Sequence, residues 1–372
     1  LQVDVLMLSA AHPPDDVRIV RREGAALAAA GWRVMHLCPG TPRAPEVVAG
    51  VLIGTYSRRP GWWGRIRNIP RLAGLARLMD PRAIMAHEPD AWLAALMARR
   101  GRVVLDVHEH YPSRLDRRLA WPFRPMARGL LRFACRAMAK RADAVVVAKD
   151  GLAADFGRDC VAVRNYAEAP DVPPRHHGPG PLTLLHLGAL SRARGWPQML
   201  AALALASPNT ELTIAGRFTD DSEADFFAEA ERLGLRSRVT FLGWLAPDKM
   251  AQAAAGADIN LVLFQPGDEN HRLALPHKLT DGMLAGLPVI APDFAIEVAE
   301  MVREAGCGLL VDVTDPAAIA AAITTLADTA TRAAMGAAAR RAALGRFAWG
   351  SQAEALRGLF TSLLGSAARP AL

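Results

Sequence analysis

Residues 273–294 read LALPHKLTDGMLAGLPVIAPDF and concentrate the side chains best suited to holding a charged ligand. The spacing predicts a short helix feeding a buried strand. Pro276, with its fixed φ and missing N–H, suits a first helical position. Leu279, Met283 and Leu284 fall on one face. Gly286 stands where a left-handed cap ends a helix, and 287–291 reads as an interior parallel strand. The start of such a helix presents backbone N–H groups and partial positive charge, a seat for phosphate. Lys278 in the first turn adds a full cation, and Asp281 follows three residues on, on the same side. A cation for a diphosphate and a carboxylate for a sugar hydroxyl would suit a nucleotide-sugar. Taken alone, the two residues read more simply as a surface ion pair, a contact of little energetic consequence.

Further candidates lie where other strands should end. Gly188, in LLHLGALSRARGW, closes one strand and is followed by Arg192 and Arg194, placed to hold a diphosphate. Gly216 and Arg217 close the next, in ELTIAGRF. A single glycine of this kind is commonly structural, and neither belongs to a GxGxxG pattern. Two such strand ends, with Lys278 and the Pro276 helix start, converge on one sheet edge and point to anion binding. In the first half, LDVHEHYP puts Asp106, His108 and Glu109 at the end of a central strand. Imidazole and carboxylate there suit sugar hydroxyls or proton transfer. The plainer alternative is that Asp106 caps a turn and His108 packs. His12 follows the first strand, and Asp15 and Asp16 are expected to cap the next helix. His87 and Glu88 end a third strand and read as structural. The sequence has no nucleophile elbow, no P-loop and no clustered metal ligands, and its charge comes with no nucleic-acid reader motif.

Positioning these groups requires alternating strands and helices. In the first half, apolar runs at 3–8, 32–37, 51–55, 83–86, 102–107, 144–147 and 161–164 read as strands. In the second, they fall at 182–187, 211–215, 239–242, 259–264, 287–291 and 308–312. Helical stretches join them, including 18–30, 196–206 and 222–233, and 317–364 reads as helices. This alternation predicts α/β architecture with doubly wound parallel sheets, whose ligands sit at the carboxyl ends of the strands. The Pro- and Gly-rich segment 169–181 reads as a linker with solvated His176 and His177. The expected division is 1–168, linker 169–181, 182–350, and a final helix from 351 to 372. At 372 residues the chain has room for two cores. The net charge of +7 is uneven: residues 1–165 hold 27 Lys or Arg against 15 Asp or Glu, and the remainder 17 against 22. Four dispersed cysteines and the absence of a long apolar run predict a reduced, cytosolic protein that binds no metal and has no membrane span. The run at 3–8 is too short for a signal-peptide core.

PHKLTDGMLAGLPVIAPDF, HLGALSRARGWPQMLAAL, ELTIAGR, VTFLGWL, DVHEHYP and the opening H-x-x-x-D-x-R-I pattern together carry a resemblance. Over essentially its whole length the chain resembles the retaining, GT-B-fold glycosyltransferases of the bacterial-type "glycosyl transferases group 1" family. The resemblance implies two Rossmann-like domains facing across a cleft, with the C-terminal helix crossing back to the N-terminal domain. It implies a nucleotide-sugar donor in the second domain, an acceptor in the first, and no metal. Asp281 would bind the nucleotide ribose, Lys278 and Arg194 would lie near the diphosphate, and His108 near the transferred sugar. Pro276, Leu279, Gly188, Gly216 and Arg217 would complete the donor site, His108 and Glu109 the catalytic pair, and His12 and Asp16 the acceptor side. Two departures stand out. Leu273 occupies the position of the first family glutamate, and Ala189 that of the usual arginine, for which Arg192 is expected to substitute.

The expected activity is transfer of a hexose from a nucleoside-diphosphate sugar, UDP favoured over GDP, to a glycan or lipid-linked acceptor in cell-surface polysaccharide or glycoconjugate synthesis. A nucleotide-sugar epimerase of the same fold, or a catalytically impaired nucleotide-sugar-binding subunit, are the alternatives. Two basic stretches suggest a peripheral place on the inner face of the membrane. One, 58–67, combines Trp62 and Trp63 with arginines; the other, 114–141, interleaves basic residues with Leu119, Trp121, Phe123, Met126, Leu130, Leu131 and Phe133. Such stretches suit an anionic lipid surface. The second taken alone reads as a core helix with solvated arginines.

Overall fold

The computed structural model describes residues 2–42, 44–114 and 121–366. Leu119, residues 367–372 and the side chain of Trp62 lie outside that description. Contacts divide the chain into two units, Leu1–Asn165 with Gly350–Leu372, and Tyr166–Trp349.

The first unit is built on a sheet of eight strands: β1 (Val5–Leu8), β2 (Val34–Pro39), β3 (Glu46–Val48), β4 (Val51–Tyr56), β5 (Ala83–Ala86), β6 (Arg102–Val107), β7 (Ala144–Val147) and β8 (Val161–Ala162). Their spatial order is β3-β4-β2-β1-β5-β6-β7-β8, parallel except for β3 on β4. The central strands are apolar throughout and buried on both faces, as a covered parallel sheet requires. The strand order reverses between β1 and β5, which opens a crevice at their carboxyl ends.

The helix after β1 departs from the regular α-helix that the sequence suggests. Over Val17–Gly24 it winds wider, and the Ala25 N–H reaches Val20 O five residues back. Residues five apart lie about 140° round an α-helix. The wider winding brings Arg18 and Glu23 to one side, where Nη2 and Oε1 are 2.7 Å apart and both side chains are buried. The final helix, Trp349–Leu364, packs on this unit. Phe360 meets Trp32, and Gln352 Oε1 accepts the Arg164 N–H at 2.8 Å.

The second unit carries six parallel strands: β9 (Leu182–Leu190), β10 (Thr210–Phe218), β11 (Val239–Gly243), β12 (Ile259–Leu261), β13 (Val289–Pro292) and β14 (Gly308–Val311). Their order, β11-β10-β9-β12-β13-β14, reverses between β9 and β12. An aromatic cluster of Trp196, Phe218, Phe226, Phe227 and Phe241 fills one side of the sheet.

Segment 169–181 belongs to this unit and does not behave as a free linker. The Arg175 N–H donates to Ala285 O, and its guanidinium lies 3.0 Å from Asp258. His176 is exposed, but the His177 side chain is only 4% exposed and sits 3.6 Å from the same carboxylate. Asp258 also accepts the Thr183 N–H at 3.0 Å and lies 3.7 Å from Arg332, which is itself buried and donates to the carbonyls of Leu326, Ala327 and Gly178. A residue 75 positions from Thr183 thus fixes this segment. Removing a buried anion leaves its cations without compensation, so Asp258→Ala should cost about 3–5 kcal/mol of unfolding free energy. Denaturant titration of the second unit's signal checks this; a loss within about 0.5 kcal/mol, as for an ordinary surface change, would contradict it.

Candidate active site

In the second unit the singled-out residues gather at the β9/β12 switch point to different degrees. Gly188 on β9 has a φ of +79°, and a Cβ built there would meet nothing within 4 Å. Glycine therefore serves a left-handed backbone position inside β9 and leaves open room. Gly216 is its register partner on β10, and a Cβ there would fall 1.7 Å from Gly188 O. Gly216 is thus demanded by backbone approach alone. Pro276 precedes the helix His277–Leu284 in an extended conformation, one position earlier than its chemistry suggests, and offers no side-chain cap.

Lys278 is 8% exposed and tied to both central strands. Its Nζ lies 3.1 Å from His186 Nε2 on β9, and its carbonyl accepts from Asn260 Nδ2 of β12 at 2.8 Å. The amine rests on the imidazole, so the surface pair with Asp281 that the spacing allows is not what holds it. Burial drives the Lys278 amine well below its ordinary range, and Arg194 pushes the same way. Burial likewise holds His186 well below its usual value, and a charge on Lys278 would push it the same way. Neither His186 nor Asn260 was singled out from the sequence. The available signal was a polar residue inside an otherwise apolar strand.

The other donor-side candidates differ in placement. Arg194 is half-buried, and its N–H donates to Ser191 Oγ. Arg192 is exposed, 2.7 Å from Asp225 and 4.9 Å over the Trp196 ring. Such an exposed pair contributes about 1 kcal/mol at most and yields readily to a stronger anion. Arg217 is exposed and stacks 5.0 Å from the Trp244 ring centroid. Asp281 is half-buried on the Lys278 helix. Leu279 is fully buried among Leu275, Met283 and Val289, and its N–H donates to Pro276 O, which leaves it no group to offer a ligand. Leu273 is also buried.

In the first unit, the β1/β5 crevice holds a chain of titratable groups. Glu88 accepts the N–H groups of Ala10, Ala11 and His12 at 2.8, 2.9 and 3.1 Å, which fixes the loop after β1. This makes Glu88 structural, as its position suggests. His12 Nδ1 lies 2.9 Å from Asp16 Oδ2, while Asp16 Oδ1 caps the next helix at Ile19 N. Asp106, wholly buried, accepts from Arg18 at 3.2 Å, His87 Nδ1 at 2.9 Å and His108 Nε2 at 2.6 Å. Burial alone would raise its pKa, but the charges of His108 and Arg18 and these hydrogen bonds hold it well below the usual carboxylate range. Glu23 is pushed well above its range, mainly by burial. Arg18, Glu23 and His87 are therefore parts of the cluster that spacing does not reveal. Glu109 is exposed beside it.

Two consequences follow for chemistry. Asp106 accepts from His108 Nε2 and leaves Nδ1 as the ring nitrogen that this carboxylate does not engage. His87, Asp106 and His108 present three atoms of metal-ligand type, 2.6–3.3 Å apart. A tetrahedral ion with bonds of about 2.1 Å holds its ligands about 3.4 Å apart. The fold thus gathers three ligand-type groups that the sequence does not show as a cluster, at spacings between 2.6 and 3.3 Å and beside the Arg18 cation.

Burial works against a charged His12, but its Asp16 hydrogen bond and the Glu88 charge outweigh that and raise its pKa. Asp16 is lowered; burial opposes this and the His12 bond prevails. The His12 contribution is fully present below the ordinary imidazole value and is lost as the pH rises through the raised one. The Asp16 contribution is lost only as the pH falls through its depressed value. His12→Gln should therefore destabilise more at about pH 5.5 than at about pH 9, by on the order of 1 kcal/mol. Denaturant midpoints at the two pH values decide; equal losses would remove the charge from the account.

Residues 181–329 match the glycosyl transferases group 1 family, and residues 17–167 match the glycosyl transferase 4-like domain. No curated protein matches the chain. Among solved structures, it is similar to a sucrose-phosphate synthase from Thermosynechococcus elongatus, with 19% identity, a TM-score of 0.76, and coverage of 98% of this chain and 100% of that one. Anabaena HepE is similar at 19% identity and TM-score 0.72, covering 97% and 100%. The lipopolysaccharide outer core galactosyltransferase WaaB is similar at 13% identity and TM-score 0.67, with the same coverage. Those likenesses give the fold, two Rossmann-like units of GT-B type. The chain thus matches two glycosyltransferase families in turn, the glycosyl transferase 4-like domain over 17–167 and glycosyl transferases group 1 over 181–329.

Proposed function

We propose that the chain transfers a hexose from a nucleoside-diphosphate sugar to a hydroxyl of a glycan or lipid-linked acceptor, with retention and without a metal ion. The observation that carries this reading is Lys278, a buried amine at a strand-order reversal, beside an uncapped helix start and the open side of Gly188. A diphosphate supplies the negative charge that such a place lacks, and Lys278, Arg194 and Arg192 would stabilise it as a leaving group. UDP is favoured over GDP, since HepE has been solved with UDP and with UDP-glucose. Asp281 would accept from the ribose hydroxyls, and His108 Nδ1 would handle a sugar hydroxyl's proton. Calorimetric titration tests the donor assignment. Lys278→Ala should weaken UDP binding by about tenfold or more while changing uridine binding by about twofold at most. Equal loss for both ligands would remove Lys278 from the diphosphate.

The acceptor is best read as lipid-linked and the protein as peripheral on the inner, cytoplasmic face of a membrane, serving cell-surface glycan synthesis. No helix among the described residues is long and apolar enough to cross a bilayer. The helix Arg124–Ala139 is not the buried core helix that its sequence alone suggests: Met126, Leu130 and Phe133 are 71%, 68% and 70% exposed. Trp121, Phe123 and Trp63 are exposed as well, on a unit rich in arginine. Apolar side chains at i, i+4 and i+7 flanked by arginines suit an anionic interface. Leu130→Ser with Phe133→Ser should reduce co-sedimentation with anionic vesicles severalfold, and salt should weaken the wild type. Wild-type protein that stays in the supernatant with such vesicles at low salt would favour a soluble acceptor.

A further inference from the structure

His186 makes two contacts through one nitrogen. Its Nε2 is 3.0 Å from Ala189 O and 3.1 Å from Lys278 Nζ, while Nδ1 is buried without a hydrogen-bond partner. A carbonyl oxygen only accepts, so the proton belongs on Nε2 and points toward Ala189 O. That tautomer has no lone pair on Nε2 to receive a proton from an ammonium. A neutral amine, which brings its own lone pair, fits as a second acceptor that shares this N–H with the Ala189 carbonyl. The alternative tautomer would set two acceptors 3.0 Å apart and bury an N–H without a partner. The surroundings agree. Arg194 is the charged group that acts on Lys278, and it repels. β12 offers Asn260, bonded to the Lys278 carbonyl. The apolar neighbours Ala254, Val289 and Ala291 line the packing around the helix, and Arg340 binds Leu284 O at its far end. His277 and Asp281 share the helix itself. Burial drives a lysine without an anion towards its neutral form.

We infer that the His186–Lys278 pair is a proton-uptake site, at which a nucleoside diphosphate binds together with one proton from solvent that ends on Lys278 Nζ. His186 is then a positioning residue. It holds the free amine in place without charge, and the cation appears when the phosphate oxygens arrive to stabilise it. This rests on the donor reading above, because it assigns the diphosphate to Lys278. It also gives the site a preference that a fixed cation lacks: a ligand without a full anionic charge meets an amine and gains no ion pair.

Calorimetric titration of the full chain with UDP and with GDP, in buffers of different ionisation enthalpy, counts the protons directly. Above about pH 7.5 the phosphates are already ionised, so the ligand contributes little. Wild type should take up about one proton per UDP, and the Kd should weaken by up to about tenfold per pH unit as the pH rises. Lys278→Arg, which carries a permanent charge, should bind with uptake near zero and a flat pH profile. His186→Leu should shift the pH dependence of uptake, and His186→Gln should restore part of the wild-type profile. Binding of UDP without proton uptake overturns the inference while leaving the donor reading intact, as does uptake that persists in Lys278→Arg. If neither nucleotide binds, the donor reading fails and this inference falls with it.

Discussion

Asp106 is a carboxylate taken wholly out of water, and much of the first unit is arranged around keeping it charged. An isolated buried anion is costly enough that it would ordinarily take up a proton. Here Arg18 arrives from the wide-wound helix, His87 from the end of β5, and His108 from the residues after β6. Each belongs to a different segment, so one charge ties the segments together. The winding of Val17–Gly24 makes sense in this light, because a regular helix would turn Glu23 away from Arg18. Burial pushes Glu23 well above the usual carboxylate range while Asp106 is held well below it, so Asp106 is the stronger acid of the two and the one that His108 meets.

The second unit handles the same constraint in two ways. Asp258 is balanced by cations from segment 169–181 and from the helix that carries Arg332, so charge pairing stands where an apolar seam would otherwise be needed. Lys278 has no anion shown against it among the described residues, and a neutral imidazole holds it at the place where the strand order reverses. A paired buried charge stabilises a fold, whereas a buried ionisable group without a counter-charge at a crevice is a candidate for ligand binding. The contrast between Asp258 and Lys278 separates scaffold from site more clearly than residue type does.

Much of the architecture was legible in the sequence because parallel strands buried on both faces must be continuous apolar runs. The strands at 83–86, 102–107 and 144–147 follow such runs to the residue. The short antiparallel β3 was not legible: three residues with exposed or half-buried side chains carry no such run. Helix 17–24 was legible as a helix, but its winding depends on Arg18 meeting Asp106, 88 residues away. Segment 169–181 misled because its proline content suggests freedom, while its arginine and histidine find an aspartate across a long separation. At the site, strand-end position located Lys278, His108 and Gly188, since topology makes strand ends the ligand edge. Their partners His186, Asn260 and Glu23 were missed because each is defined by a tertiary contact that no local pattern encodes; Arg18 stands in the opening H-x-x-x-D-x-R-I pattern, but its contact with Asp106 was hidden for the same reason.

The two glycines of the β9/β10 edge are unequal in what they would tolerate from an engineer. Gly216 faces a carbonyl so near that even an alanine methyl group is a steric burden, and a combinatorial library should leave its codon untouched. Gly188 is constrained by dihedral angle alone, with free volume beside it. An L-residue there has the room and meets only the strain of its dihedral, whereas a D-amino acid, introduced by semisynthesis, would keep the backbone in its natural well. Mirror-image chemistry at one position would thus separate the cost of the dihedral from the cost of filling space.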